Sequence, residues 1–170
     1  MAATTKKTTT TATAKQTTTA VKKTAALAKK TTTSSNELTV SGNKKLDTLK
    51  KEFNKKFPYL HLAIAYSEAR KDVAVGGTIY NIPGDKTIAQ VRRVDSGGTI
   101  SISGNKKVKT LEKEFDTVFG LYCQVCYTRP DGQGVYTGEV SDEKTLSALN
   151  AECEKNGCKK GSSDISRDSC

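Results

Sequence analysis

One sequence block occurs twice in this chain of 170 residues. LTVSGNKKLDTLKKEFNKKF begins at Leu38, and ISISGNKKVKTLEKEFDTVF begins at Ile100, 62 positions later. A near-identical block at a fixed period is typical of one supersecondary unit used twice. A residue kept in both copies is expected to serve the fold, and a residue found in only one copy is a candidate for another role. The comparison leaves no catalytic constellation that is present in both copies.

Each copy carries one strongly amphipathic helix pattern. Apolar residues at i, i+3, i+7 and i+11 form a stripe along one face of each helix. These stripes consist of Leu46, Leu49, Phe53 and Phe57 in the first copy and of Val108, Leu111, Phe115 and Phe119 in the second. Pro58 and Gly120 follow as stop signals. We expect Phe53 to take the place of Phe115, and Leu49 that of Leu111, each in a core of its own copy.

Short alternating runs surround these helices and predict strands. The predicted strands are 38–40, 60–66 and 73–79 in the first copy and 100–102, 121–127 and 135–140 in the second, and second helices are predicted at 85–91 and 143–155. The predicted fold class is α+β, with two tandem β-α-β-β-α repeats that form small mixed sheets with helices on one face. The first two strands of each repeat are expected to be parallel and joined by a right-handed crossover.

The first 36 residues differ from the rest in composition. They contain 14 Thr and seven Lys, and they have no acidic and no aromatic residue. Such a segment cannot bury enough apolar surface to offset the entropy lost on ordering, so we predict a disordered Thr/Lys-rich tail. The predicted organisation is therefore a tail at 1–36, a first repeat at 37–98, a second repeat at 99–158 and a loose C-terminal segment at 159–170.

The positive charge is concentrated at the front of the chain. The net charge of +10 divides into +7 for 1–36, +4 for 37–98 and −1 for 99–170. A flexible cationic segment binds polyanions through counterion release, although a solubilising leader would have the same composition. The candidate polyanion-binding residues are the lysines of the tail and of the Ser-Gly-Asn-Lys-Lys block before each helix: Lys6, Lys7, Lys15, Lys22, Lys23, Lys29, Lys30, Lys44, Lys45, Lys106 and Lys107. The block could bind phosphate with a helix N-terminus, but the favoured explanation is a turn that requires Gly, with the lysines solvated.

The five cysteines are the main candidates for metal binding or redox chemistry. Cys123 and Cys126 have the spacing of metal ligands, and with Cys153 and Cys158 they could hold zinc. However, Cys123 aligns with Leu62 in the first copy, and residues three apart on a strand point to opposite faces. Cys153 and Cys158 are five apart, which is a poor pairing on a helix. We therefore predict no metal and no cofactor, with reduced cysteines acting as small buried hydrophobes.

Other chemistry-bearing residues give no enzymatic pattern. His61 is the only histidine, and it is expected on the exposed face of its strand, which removes histidine-based triads and metal sites. Glu112 and Glu114 lie among lysines and are expected on a solvated helix face. We therefore predict that the protein is not an enzyme and has no small-molecule substrate.

The second copy resembles a family of small uncharacterised bacterial and phage proteins. The resemblance lies in the Lys-Thr-Leu-Glu-Lys-Glu-Phe helix start, the Phe-Gly stop and the strand that follows, from Val108 to Tyr127, and in Thr145-Leu146. The first copy departs from it at Pro58, where that family has Gly. The resemblance implies a compact α+β module of bacterial or phage origin and implies no reaction. The tail is similar in composition to the tails of linker-histone-type proteins.

These observations predict a non-enzymatic binding protein whose tail engages nucleic acid, or another polyanion, without sequence specificity. The alternative is a structural component of a larger assembly such as a phage virion, in which the tail anchors neighbouring protein subunits. No secretory signal and no membrane-spanning run are found, so no membrane partner is expected. The expected location is intracellular, either cytoplasmic or nucleoid-associated, or else inside a phage particle.

Overall fold

The computed structural model describes residues 37–77, 79–95 and 97–161. Within these ranges the chain is a mixed α+β fold with six helices and five strands. In chain order the elements are β1 (Leu38–Val40), α1 (Leu46–Lys56), β2 (His61–Tyr66), α2 (Ala69–Ala74), α3 (Ile88–Val91), β3 (Ile100–Ile102), α4 (Val108–Phe119), β4 (Leu121–Thr128), β5 (Gly134–Tyr136), α5 (Glu139–Asp142) and α6 (Leu146–Lys155). The predicted tail, 1–36, and most of the predicted C-terminal segment lie outside the described residues.

The two long helices form where the apolar stripes predict them. Every residue of both stripes is buried, because the i, i+3, i+7 and i+11 positions share the face that packs on the sheets. Helix α4 ends at Gly120, which adopts the left-handed conformation with φ of 64°, a conformation that only glycine adopts without strain. Helix α1 ends at Lys56, two residues before Pro58.

The strands form two antiparallel sheets. In one, β1 pairs with β3; in the other, β4 lies between β2 and β5. The prediction of mixed sheets with a parallel crossover inside each copy is therefore wrong, because β1 and β2 belong to different sheets. Instead β1 pairs with β3 and β2 pairs with β4, each with the equivalent strand of the other copy, while β5 pairs with β4. This pairing brings both long helices onto one core, which buries more apolar surface than two small separate cores would.

One principal core joins the two copies. It contains both helix stripes, the inward-facing residues of β2 and β4, and apolar residues of α3 and α6. The expectation of a separate core in each copy is therefore wrong, although the residues expected in those cores are correct. The rings of Phe53 and Phe57 meet in a tilted contact with centroids 5.0 Å apart, and those of Phe115 and Phe119 meet edge to face at 5.6 Å.

The other face of the larger sheet is also covered, so the prediction that helices lie on one face alone is wrong. A smaller cluster of Ala63, Ala65, Ile79 and Cys126 lies on this face, and Val73 of α2 packs against it. The strand predicted at 73–79 is absent from the described part of that range. Helix α2 occupies its beginning instead and stops at glycines 76 and 77, whose N–H groups bond back to the helix.

The second copy differs from its prediction in the same region. The turn at 129–134 forms as expected, closed by a 2.8 Å bond from the Arg129 N–H to the Gln133 carbonyl. Its strand, β5, is shorter than predicted and ends at Tyr136, since the chain turns into α5 after Gly138. The second helices, α3 and α6, begin three residues later than predicted, at Ile88 and Leu146.

Candidate functional site

The predicted lysines Lys44, Lys45, Lys106 and Lys107 lie immediately before α1 and α4. The backbone there is already bonded, because the Leu46 N–H donates to the Lys86 carbonyl at 3.0 Å and the Ile88 N–H donates to the Lys44 carbonyl at 3.1 Å. In the second copy, the N–H of Val108 and the carbonyl of Lys144 make the same bond at 3.0 Å. The first N–H of each long helix therefore has a protein partner, so this donor is not available to a phosphate group.

Two of these four lysine side chains are largely buried, and the other two are exposed. Lys44 pairs with Glu52 and Lys106 pairs with Glu114, and the two lysine side chains are only 18% and 14% exposed. Lys107 is exposed and pairs with Glu143 at 2.9 Å. Lys45 is exposed and has no ion-pair partner within the described ranges. The seven other predicted lysines, which belong to the tail, lie outside the described residues.

Helix α1 presents a basic surface that the sequence analysis did not single out. Lys51 and Lys55 are one turn apart, both exposed, and neither forms an ion pair with any described residue. Beside them lies an open groove of about 610 Å³, here called the α1 groove. It is lined by Glu37, Leu38, Thr39, Lys44, Glu52, Lys55 and Lys56. The sequence signal for this surface is the excess of four lysines over two acidic residues in α1.

Lys56 is the most constrained cation of the α1 groove. Its Nζ donates to the Ile102 carbonyl at 2.9 Å, which ties α1 to β3. Burial lowers the pKa of Lys56, and the nearby Glu37 carboxylate partly offsets this effect. The exposed Lys55 is therefore better placed than Lys56 to meet a solvated anion.

The corresponding surface of α4 has the opposite balance. Thr117 takes the place of Lys55, and the helix carries three acidic residues against two lysines. One of those lysines, Lys109, pairs with Glu143 across to the loop before α6. Of the two long helices, α1 therefore has the more basic surface, although both have the same buried stripe.

Glu112 was expected on a solvated helix face, and this expectation is wrong. Its Oε1 accepts hydrogen bonds from the Val125 N–H at 2.9 Å, from Gln124 Nε2 at 2.7 Å and from Thr137 Oγ1 at 3.2 Å. The Tyr122 hydroxyl donates to Gln124 Oε1 at 2.8 Å and extends the network. The carboxyl therefore caps the edge of β4 at the point where the chain leaves β5.

Burial raises the pKa of Glu112 to about 7, against the lowering effect of the Val125 N–H bond. The Asp142 carboxylate raises it further, and Oδ1 of Asp142 is itself buried without a hydrogen-bond partner among the described residues. Carboxyl groups with such shifts in a cleft are often catalytic. Here the adjoining pocket measures about 300 Å³, and one carboxyl oxygen already accepts three hydrogen bonds, so the geometry favours a structural role.

In the first copy, a different side chain accepts the hydrogen bond of the equivalent strand N–H. Asn81 Oδ1 accepts the N–H of Ile64 at 2.8 Å, as Glu112 accepts that of Val125. Asn81 also accepts a 3.0 Å bond from Lys50 Nζ, and Lys50 is only 6% exposed. A polar side chain thus satisfies the equivalent strand N–H in each half, which explains why a buried cation and a buried carboxyl occupy matching helix positions.

The Glu112 network predicts a pH-dependent stability difference between the wild-type protein and Glu112→Gln. A carboxyl whose pKa is about 7 in the folded chain and 4.5 when solvated binds its proton more tightly in the folded state. Its stabilising contribution is complete below pH 4.5 and is lost as pH rises through 7. From pH 4.5 to pH 8, the free energy of unfolding of the wild type should therefore fall by roughly 2–3 kcal/mol relative to that of the variant.

Urea unfolding at the two pH values measures this difference. Glu139→Gln removes one exposed carboxylate that forms no ion pair with any described residue, so it reports the effect of net charge. Parallel stability curves for the wild type and Glu112→Gln would contradict the assignment of Glu112 as a buried titrating group.

The cysteines follow the predicted geometry but not all of the predicted chemistry. Cys123 belongs to the principal core and Cys126 to the smaller cluster, which confirms that they face opposite sides of β4. Cys123, Cys153 and Cys158 are free and buried, and burial raises the pKa of Cys123 well above its usual value. Cys126 is disulfide-bonded, so the expectation that all five cysteines are reduced is wrong.

Neither a metal centre nor an exposed histidine is found among the described residues. No group of three or more metal-ligating side chains comes together in this part of the chain. His61 is half-buried rather than exposed, because its imidazole lies against Gly161 and Asn54. None of the described helices is long and apolar enough to cross a membrane.

Comparison with protein-family models, with curated proteins and with solved structures finds no match. The resemblance to a bacterial and phage family therefore stays a prediction.

Proposed function

We propose that this chain is a non-enzymatic protein that binds nucleic acid, or another polyanion, without sequence specificity. The observation that carries the proposal is a difference in ion pairing between the lysines of the second copy and those of α1. In the second copy four of them are paired with glutamates: Lys106, Lys107, Lys109 and Lys144. In α1, Lys51 and Lys55 are exposed without an ion-pair partner among the described residues. Unpaired exposed cations release counterions when they meet phosphates, and this release drives binding.

The tail supplies the larger share of the available charge. Residues 1–36 contribute +7, whereas residues 37–161 contribute +4 from 20 basic and 16 acidic side chains. The proposed division is a tail that provides most of the affinity and an α1 surface that provides a fixed cationic docking point. Phosphate contacts of this kind carry no sequence information, so all duplexes should bind alike.

The use of the other reactive groups supports a non-enzymatic role. The Glu112 carboxyl is engaged by three donors, and Cys123 is buried in the core. General acid–base catalysis requires a group within hydrogen-bond reach of a substrate. Among the described residues, the Glu112 carboxyl, whose pKa is raised, and the buried Cys123 thiol are both engaged in contacts within the fold.

A tandem repeat is proposed as the origin of the scaffold. Its support is that equivalent residues pair with each other at the centre of two sheets, Thr39 with Ser101 and Ala63 with Gln124. Such pairings are expected when two copies of one unit meet about an approximate twofold axis. The matching bonds at the helix starts, including Lys44 with Glu52 and Lys106 with Glu114, support the same arrangement.

A pair of double substitutions tests the α1 surface. Lys51→Gln with Lys55→Gln removes the two unpaired cations of α1, and Lys109→Gln with Lys113→Gln removes two exposed lysines from the matching helix. If both α1 lysines contact phosphates, the slope of log K against log salt on duplex DNA should become less negative by about 1.8 in the first variant. It should hardly change in the control.

Fluorescence anisotropy with two unrelated DNA duplexes measures both slopes. An equal reduction of the salt slope in the two variants would show that total charge, rather than the α1 surface, determines binding. Strong dependence on the DNA sequence would contradict the proposal as a whole.

An assembly component is the second candidate, and it is favoured by the open sheet edges. Within the described ranges β1 and β3 pair only with each other, so each has one edge without a strand neighbour. Val75, Tyr80 and Val140 are also between 78% and 85% exposed. Free strand edges are templates for pairing with other chains. Concentration-dependent oligomers in sedimentation experiments, together with no DNA binding at low salt, would favour this function over the first.

A further inference from the structure

The C-terminal end of α6 places two cysteines next to each other. The Cys158 N–H donates to the Cys153 carbonyl at 2.9 Å, and the Gly157 N–H donates to the Glu154 carbonyl at 3.1 Å. Gly157 has a φ of 72°, in the left-handed region. These bonds define a Schellman motif, in which the side chains three residues inside and two residues outside the helix end come into contact.

This motif corrects the expectation that cysteines five residues apart pair poorly. On an uninterrupted helix they would diverge, but the left-handed glycine folds Cys158 back over the last turn. The sequence signal is Cys-Glu-Lys-Asn-Gly-Cys, in which a glycine lies directly before the second cysteine. Both side chains then enter the principal core, with Cys153 3% and Cys158 8% exposed.

The two thiols interact directly. Burial raises the pKa of Cys153 to about 12, and the neighbouring Cys158 thiol adds to this shift through charge and a hydrogen bond between the side chains. Both cysteines are free in the structure. The two thiols therefore lie together in the core, and their burial keeps them unreactive until the helix end opens.

We propose that Cys153 and Cys158 form an oxidisable dithiol site that a low-molecular-weight disulfide, such as oxidised glutathione, converts to an intramolecular disulfide. Cys158 is the more exposed residue and reacts first. It loses its proton to solvent, and its sulfur attacks one glutathione sulfur. The glutathione disulfide bond breaks, and one glutathione thiolate leaves and takes up a proton.

The second exchange closes the protein disulfide. The Cys153 thiol loses its proton to solvent, and its sulfur attacks the Cys158 sulfur of the mixed disulfide. The bond between Cys158 and glutathione breaks, and the second glutathione leaves as a thiol after protonation. In sum, two protein thiols are oxidised to one disulfide, and one glutathione disulfide is reduced to two thiols.

Oxidation at this site would fix the path of the chain after α6. In the described residues after Cys158, the Lys159 N–H donates to Thr128, the Gly161 N–H donates to Pro58, and Lys160 lies over the Tyr59 ring. A disulfide at Cys158 would anchor this stretch to the helix from which it emerges. The oxidised form should therefore protect the amides of Gly157 and Cys158 from hydrogen exchange.

Peptide mapping of the full chain tests the proposal directly. The protein is reduced, freed of reductant and incubated natively with oxidised glutathione, and the remaining thiols are then alkylated in denaturant. Trypsin cleaves after Lys155, between the two cysteines, so the disulfide joins the peptides TLSALNAECEK and NGCK. We expect this linked pair in the wild type and its complete loss in Cys153→Ala and in Cys158→Ala.

Cys123→Ala is the matched control, since Cys123 is also free and buried but lies on β4. It should leave the linked pair unchanged. Wild-type protein in which Cys153 and Cys158 carry only glutathione or the alkylating group, with no linked peptide, would overturn the proposal. A linked pair of Cys123 with either residue would overturn it as well, and both outcomes are read on the wild type without relying on any variant to fold.

Discussion

Replacing Phe115 with Ala is expected to cost the protein roughly 3–5 kcal/mol of folding free energy. Phe115 is fully buried at the centre of the α4 stripe, and its ring packs against that of Phe119 with centroids 5.6 Å apart. Truncation removes the apolar contacts of the ring and leaves a cavity in a core that both copies share. Because domains of this size are stable by only about 5–15 kcal/mol, the variant would lose a large fraction of its stability.

Chemical denaturation of the two proteins measures this loss. Phe53→Ala is expected to cost a similar amount, because Phe53 is equally buried at the matching position of α1. Tyr80→Ala is the control, since Tyr80 is 83% exposed and its loss should change stability little. A cost below about 1 kcal/mol for Phe115→Ala would mean that the stripe does not form the core.

The second large effect is expected in DNA binding when the seven tail lysines are replaced by Gln. If about five of them contact phosphates, the slope of log K against log salt for the wild type should be near −4 to −5 on duplex DNA. Affinity would then fall roughly 500-fold between 50 and 200 mM salt. The substituted chain should lose most of this dependence, and deletion of residues 1–36 should have the same effect.

A salt titration of the three proteins on one duplex makes the comparison, and a second duplex of unrelated sequence checks for specificity. Absence of binding by the wild type at low salt would remove the nucleic-acid function and favour the assembly component. Unchanged binding after substitution of the tail would instead move the interaction to Lys44, Lys45, Lys106 and Lys107, together with the α1 surface.

The local elements of this protein could be predicted because they depend on short-range patterns. The stripes of α1 and α4 are readable since a helix repeats every 3.6 residues, and the alternation in β4 identifies which of Cys123 and Cys126 faces the principal core. Comparison of the two copies correctly marked Leu49, Phe53 and Phe115 as core residues. The prediction of a strand at 73–79 is wrong, because Val73 and Ile79 pack against the smaller cluster without forming a ladder in the described part of that range.

The candidate sites are harder to predict from the sequence, because they depend on residues that are far apart in the chain or on a single backbone conformation. Glu112 is adjacent to lysines in sequence, yet its carboxyl meets the N–H of Val125, 13 positions away, at the edge of a sheet. The contact between Cys153 and Cys158 depends on a single left-handed glycine. Neither arrangement follows from helical spacing, which was the basis of the sequence-based interpretation.

The sequence by itself determined the duplicated helices, their buried faces and the concentration of positive charge in residues 1–36, since each is a property of composition or of local periodicity. Only the tertiary structure decided how the strands pair. A strand pattern specifies which face is buried but not which neighbour supplies the hydrogen bonds, and in this chain β1 and β2 each have an equivalent strand in the other copy. Pairing β1 with β3 and β2 with β4 gives one shared core in place of two small ones, and the greater burial of apolar surface is the physical reason for that choice.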